Sequence, residues 1–161
     1  MKPMTEVLRL KIQKYIKNRI DISELIYDVE IKGENLSGAV IKSLVRPGDD
    51  LTRTNFSKAI IGEKGCINNI SGAKMRSSVW CDAHIEGIMY MRRVDARNAD
   101  FSGCVMIDCE YQYSDFRGAK FCEAGLRIGT DYGFKAKFDQ DMFKDLTAMW
   151  NLDVRVKAEG E

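Results

Sequence analysis

A large apolar residue returns every five positions in the second half of this chain: Phe101, Met106, Tyr111, Phe116, Phe121 and Leu126. A small residue stands two places before each of them, at Ala99, Cys104, Cys109, Ser114, Ala119 and Ala124. A five-residue period fits neither the roughly 3.6-residue turn of a helix nor the roughly 2-residue alternation of a strand. It fits a chain that turns a corner every five residues and points two side chains of each five inward. Such an internal repeat predicts a solenoid, which grows along an axis rather than around a centre.

The same spacing is present upstream. Ile31, Leu36 and Ile41 carry it first, then Leu51, Phe56 and Ile61, then Ile70, Met75, Trp80, Ile85 and Tyr90. After one extra residue it resumes at Ala96. The register breaks at Glu63 to Cys66 and at the corner Met91-Arg92-Arg93. If four quintets make one circuit, every twentieth residue stacks. The expected columns are Ile31, Leu51, Ile70, Tyr90, Tyr111; Leu36, Phe56, Met75, Ala96, Phe116; and Ile41, Ile61, Trp80, Phe101, Phe121. The fourth column falls near Arg46 and Gly65, where Arg46-Pro47-Gly48 and Glu63-Lys64-Gly65 read as excursions from one side.

Both flanks read as helical. Leu8, Ile12, Tyr15 and Ile16 share one face of a helix over residues 4–18. The first twenty residues hold six basic groups and one acidic group. This reads as a helix covering the open end of the solenoid with a solvated basic face. The functional alternative is a helix that meets an acidic partner or a membrane surface. Asp139 to Trp150 reads as a second amphipathic helix, with Met142, Phe143, Leu146, Met149 and Trp150 in one stripe. That stripe would cap the last circuit or pair two subunits. The expected organisation is an N-terminal helical cap over 1–30, the repeat over 31–131, and a C-terminal helix and tail over 132–161.

Ala99-Asp100-Phe101-Ser102-Gly103 and Ser114-Asp115-Phe116-Arg117-Gly118 are the fullest quintets. Thr54-Asn55-Phe56-Ser57-Lys58 and Glu34-Asn35-Leu36-Ser37-Gly38 match in part. These quintets resemble the pentapeptide-repeat family, whose loose pattern is small, Asp/Asn, Leu/Phe, Ser/Thr/Arg, Gly. The resemblance implies a mainly β fold: a right-handed quadrilateral β-helix with capping helices at both ends. It also implies a homodimer through the C-terminal helix. It carries over no catalytic motif.

The rest of the sequence narrows the chemistry. Net charge is +1, and no stretch approaches the roughly 20 apolar residues that span a bilayer. Met1 to Ile20 has no apolar signal core, so the cytoplasm is the expected compartment. Five cysteines without CxxC spacing give neither a disulfide framework nor a zinc site. Cys104 and Cys109 read as small inward residues, while Cys81 and Cys122 fall two circuits apart, about 10 Å by strand spacing. His84 is the one histidine and reads as outward. No general acid and base are oriented toward each other, so no enzyme, cofactor or metal is expected.

Outward apolar residues are the stronger signal. Met89 and Met91 flank Tyr90, Val105 and Ile107 flank Met106, and Tyr113 follows one circuit on. With the excursions at Arg46 and Lys64 they form the candidate protein interface. Arg76, Arg97 and Arg117 should stack as a ladder that Asp95 and Asp115 neutralise. The expected function is a rigid, non-catalytic scaffold that binds a protein partner or serves as an accessory subunit. The alternative is a DNA mimic that protects or inhibits a type II topoisomerase such as gyrase. Mimicry needs a strongly negative rod, and residues 49–131 hold 12 acidic and 11 basic groups. Direct nucleic-acid binding is not expected.

Overall fold

The structure is a computed structural model, and it describes residues 1–106, 109–122 and 124–126. Among the described residues, two helices, α1 (Glu6–Lys17) and α2 (Ser23–Ile26), precede eight strands of two or three residues each. The strands are β1 (Val40–Ile41), β2 (Ile60–Ile61), β3 (Ile67–Asn69), β4 (His84–Ile85), β5 (Ile88–Tyr90), β6 (Val105–Met106), β7 (Cys109–Glu110) and β8 (Gly125–Leu126). Strands this short follow from a chain that bends every five residues. Their order is β1-β2-β4-β6-β8 in one sheet and β3-β5-β7 in the other. Every pairing among the described residues is parallel.

The pairings define four sides. On the first, Asn35, Asn55, Val79, Asp100 and Lys120 bridge in turn, so Leu36, Phe56, Trp80, Phe101 and Phe121 stack behind them. The second side is the β1 sheet, with Ile41, Ile61, Ile85 and Met106 in register. The third is the β3 sheet, which Val45 joins by its bridge to Asn69. On the fourth, Asp50, Lys74, Asp95 and Asp115 bridge, which stacks Leu51, Met75, Ala96 and Phe116. Pairing is already present at Asp21, which bridges Val40.

The expected columns hold up to Ile61 and then slip by one side. Ile70 lies on the third side, Met75 on the fourth and Trp80 on the first. The cause is the length of the excursion after Ile61. Gly62 to Cys66 leaves the wall before β3 begins, so nine residues separate Ile61 from Ile70 where five would suffice. A run that long imitates a full side when only the spacing is counted. The extra residue of the next circuit is also misplaced by spacing alone. It falls at Glu86-Gly87, because Ile85 to Met91 takes six residues while Met91 to Ala96 takes five. The corner Met91-Arg92-Arg93 is regular.

The interior is filled by two residues per quintet, and their sizes compensate. Ala73 accompanies Met75, Ser114 accompanies Phe116, and Val94 accompanies Ala96; all six are buried. Phe56 and Trp80 stack at 4.4 Å, Trp80 and Phe101 at 6.0 Å, and Phe101 and Phe121 at 5.0 Å between ring centroids. Buried hydroxyls close onto backbone: Thr54 Oγ1 donates to Ile31 O at 2.8 Å, and Ser78 Oγ donates to Met75 O while accepting from Trp80 Nε1 at 2.9 Å.

Arg46 departs furthest from expectation. It lies in the wall at an inward position, with 3% of its surface exposed, and not on an excursion. Its guanidinium donates to Ile26 O and, at 2.6 Å, to Val29 O. Its Nε lies 2.7 Å from Asp49 Oδ2, an ion pair whose angle does not make a hydrogen bond. Burial pulls the guanidinium below its ordinary range, and Asp49 acts the other way. A planar group with five donors can satisfy carbonyls of the preceding segment where an aliphatic side chain could not. The Pro47-Gly48 turn then forms an ordinary corner.

Helix α1 begins at Thr5, whose hydroxyl accepts from Leu8 N at 3.2 Å. Ile12 is buried, and Leu8, Tyr15 and Ile16 pack against the core. Arg9 donates to both carboxylate oxygens of Glu34, at 2.9 and 2.7 Å, and Gln13 donates to Asn35 O. The expected C-terminal helix, with Met142, Phe143, Leu146, Met149 and Trp150, lies outside the described residues.

Candidate protein-interaction face

Both insertions sit at one corner, between the second and third sides, and they lock onto each other. Gly62 has φ +82°, and a Cβ there would stand 2.1 Å from Glu86 O and 2.4 Å from Asn68 Nδ2. Gly87 has φ +75°, and a Cβ there would stand 2.4 Å from Cys66 O. Only glycine allows backbones this close in this conformation. Buried Asn68 completes the joint: its Oδ1 accepts from Leu44 N at 2.9 Å and its Nδ2 donates to Glu86 O at 3.3 Å. Lys64 is exposed on this excursion, and Lys42 pairs with Glu63 beside it at 3.2 Å.

The insertion before β5 decides which methionine atoms face solvent. Met89 and Met91 are both fully buried, pointing inward and not outward as the spacing suggested. One extra residue moves the inward pair from Tyr90 to its two neighbours. Val105 is half-buried on β6, Tyr113 is exposed, and Ile107 lies outside the described residues. The expected patch of these five residues is therefore not assembled as one surface.

A different set occupies the third side. Ile67 and Ile88 are paired in register on β3 and β5 and are 51% and 38% exposed. Val45, on the same sheet, is 44% exposed. The spacing could have revealed them only if the slip after Ile61 had been known. At the far margin of this side, Ser71, Gly72, Arg92, Arg93, Gln112 and Tyr113 line a shallow groove of about 610 Å³. The Arg92 guanidinium lies 5.3 Å from the Tyr90 ring centroid, and that of Arg93 lies 5.9 Å from Tyr113. Arg92 also pairs with Glu110. The third side thus runs from exposed isoleucine to arginine laid on tyrosine, and arginine and tyrosine are enriched where proteins meet.

The fourth side behaves as the sequence suggested. Arg76 binds Asp95 at 2.7 Å, Arg97 bridges Asp95 at 2.9 Å and Asp115 at 3.8 Å, and Arg117 binds Asp115 at 2.6 Å. These are partly exposed pairs, each worth little individually.

Among the described residues, reactive groups do not converge. Burial pushes the Cys104 thiol up, and burial with Asp100 beside it does the same for Cys81, which disfavours the nucleophilic thiolate. His84 Nε2 lies 3.4 Å from Glu86 Oε1 on an exposed corner. Among the described residues, no group of three His, Cys, Asp or Glu side chains could hold a metal ion. No described helix is long and apolar enough to cross a membrane.

No curated protein matches the chain. A pentapeptide repeat protein from the Arabidopsis thaliana thylakoid lumen is 21% identical, with 74% of each chain covered and a TM-score of 0.33. A pentapeptide repeat protein from Nostoc is 14% identical, covering 86% of this chain and 98% of its own, with a TM-score of 0.31. QnrB1, a plasmid-mediated fluoroquinolone resistance protein, is 14% identical over 76% of this chain and 90% of its own, with a TM-score of 0.27. Residues 90–127 match the family model for pentapeptide repeats in eight copies, and this segment is a run of pentapeptide repeats.

Proposed function

We propose that this protein is a non-catalytic interaction module, a right-handed quadrilateral β-helix whose third side binds a protein partner. The observation that carries this reading is the exposed, in-register pair Ile67 and Ile88 on a rigid parallel sheet. Two isoleucines held side by side in water have an apolar area that association would bury. Arg93 and Tyr113 at the other margin supply the directional contacts that fix orientation. The stacked wall holds both in place, so binding orders little backbone.

The test is affinity capture from the native source with the wild-type chain and with Ile67→Asp/Ile88→Asp. A partner retained by the wild type and lost by the double variant, with unchanged thermal unfolding, supports the reading. Equal retention by both chains overturns it.

The topoisomerase reading requires an uninterrupted acidic side. On the fourth side the recurring carboxylates Asp95 and Asp115 are bound by Arg76, Arg97 and Arg117. A gyrase supercoiling assay with excess protein measures that reading directly.

A further inference from the structure

Helix α1 carries a second surface that the third side does not explain. Its inner face packs Leu8, Ile12, Tyr15 and Ile16 on the core. Its outer face is formed by Val7, Leu10, Lys11, Lys14 and Lys17, all exposed. At 3.6 residues per turn these five fall within about 120° of the helix circumference. Val7 and Leu10 are 79% and 63% exposed, which makes Val7 the most exposed large apolar side chain described. The one acid within α1, Glu6, is held by Arg9 at 2.6 Å. Among the described residues, neither Lys14 nor Lys17 has an acidic partner, and Lys11 lies over the Tyr15 ring at 5.6 Å. Capping the first circuit accounts for the inner face alone.

We propose that this outer face docks on an anionic lipid surface. The face is the convex side of one helix and offers no groove to a shaped partner. Its cations are lysines, compact charges on flexible stems that reach headgroups in any orientation, and not the arginine forks that select a fixed carboxylate. Two apolar side chains flanked by lysines are enough to enter the headgroup boundary but too few for the core of a protein interface. Juxtaposed lysines add to the attraction in proportion to the negative surface potential. Docking there would stand the solenoid on the membrane by its N-terminal end and leave the third side accessible.

The experiment is co-sedimentation of the full chain with vesicles of phosphatidylserine and phosphatidylcholine, against phosphatidylcholine alone. Binding is expected to the first and not to the second, and to weaken as salt is raised. Each lysine reversed on this face should weaken binding by roughly fivefold or more, so Lys14→Glu/Lys17→Glu should weaken it at least about 25-fold. Val7→Ser/Leu10→Ser should weaken it by roughly tenfold or more. Both variants alter exposed residues, so their thermal unfolding should match that of the wild type. Equal sedimentation with both vesicle types, or wild-type binding by both variants, overturns the proposal. So does an acidic protein captured through α1 by a chain that ignores anionic vesicles. Ile67→Asp/Ile88→Asp should bind vesicles as the wild type does, which separates this proposal from the partner-binding face.

Discussion

On the first side of the repeat, Phe56, Trp80, Phe101 and Phe121 stack ring on ring at nearly regular intervals. At the corner between the second and third sides, Gly62, Asn68 and Gly87 bring two insertions into backbone contact. One region is held by bulk and burial, the other by the absence of side chains and by one satisfied amide. The contrast shows how the stacked repeat tolerates irregularity. An aromatic stack needs every circuit to supply a ring at the same height. A corner can shed extra residues outward, provided the strands on either side regain their register. The surface that differs most from a plain repeat therefore lies beside that corner, on the third side.

Substitutions test the two regions separately. Trp80→Ala removes the ring between Phe56 and Phe101 and should cost about 3–5 kcal/mol in denaturant unfolding. Trp80→Phe, which keeps a ring, should cost clearly less. A loss no larger than for Phe would mean that the stack is not what holds the first side. Gly62→Ala should cost roughly 2–4 kcal/mol, because a positive φ and a backbone overlap act together. Gly33→Ala is the control. Its φ is +72° but nothing lies within 4 Å of the added carbon, so the loss should be about 1 kcal/mol. Equal losses at the two glycines would remove close approach as the reason for Gly62.

The smallest expected effect sharpens the contrast with the surface ion pairs. Burial acts to raise the Asp50 carboxyl, but Lys32 at 2.7 Å and hydrogen bonds from Thr52 outweigh it and hold it down to about 2. A carboxyl depressed on folding stabilises the protein above its unfolded value and loses that contribution as pH falls through its folded value. The urea midpoint should therefore fall between about pH 4 and about pH 2, and Asp50→Asn should flatten that segment. An unchanged acid limb in the variant would assign the loss to other carboxylates.

Much of the architecture was legible because its cause is local. Every quintet repeats the same demand, one large and one small residue inward, so Ala99 and Phe101 state it without help from the rest of the chain. Arg76, Arg97 and Arg117 fall on one side by spacing alone, because all three follow the long insertion after Ile61 and the one extra residue between Arg76 and Arg97 shifts the count equally wherever it is placed. Spacing fails where the count itself is ambiguous. Five residues outside the wall look like a nearly complete side, which displaced Ile70 and Trp80 in the expected columns. One residue at Glu86-Gly87 exchanged the inward and outward roles around Tyr90, and the Met-Tyr-Met run reads equally well either way. Arg46 misled because charge argues for solvent, while its burial depends on carbonyls of Ile26 and Val29 that only the fold brings to it.

The repeat and its five-residue period, with one large and one small residue inward, are properties of the sequence taken alone. Those properties depend on spacing and residue type alone. The tertiary structure decided which residues share a side, that Arg46 belongs in the wall, and that Ile67, Ile88 and the outer face of α1 are left in water. These depend on the phase between circuits, and the phase is set by parallel hydrogen bonds between residues 20 to 24 positions apart, which no local pattern records.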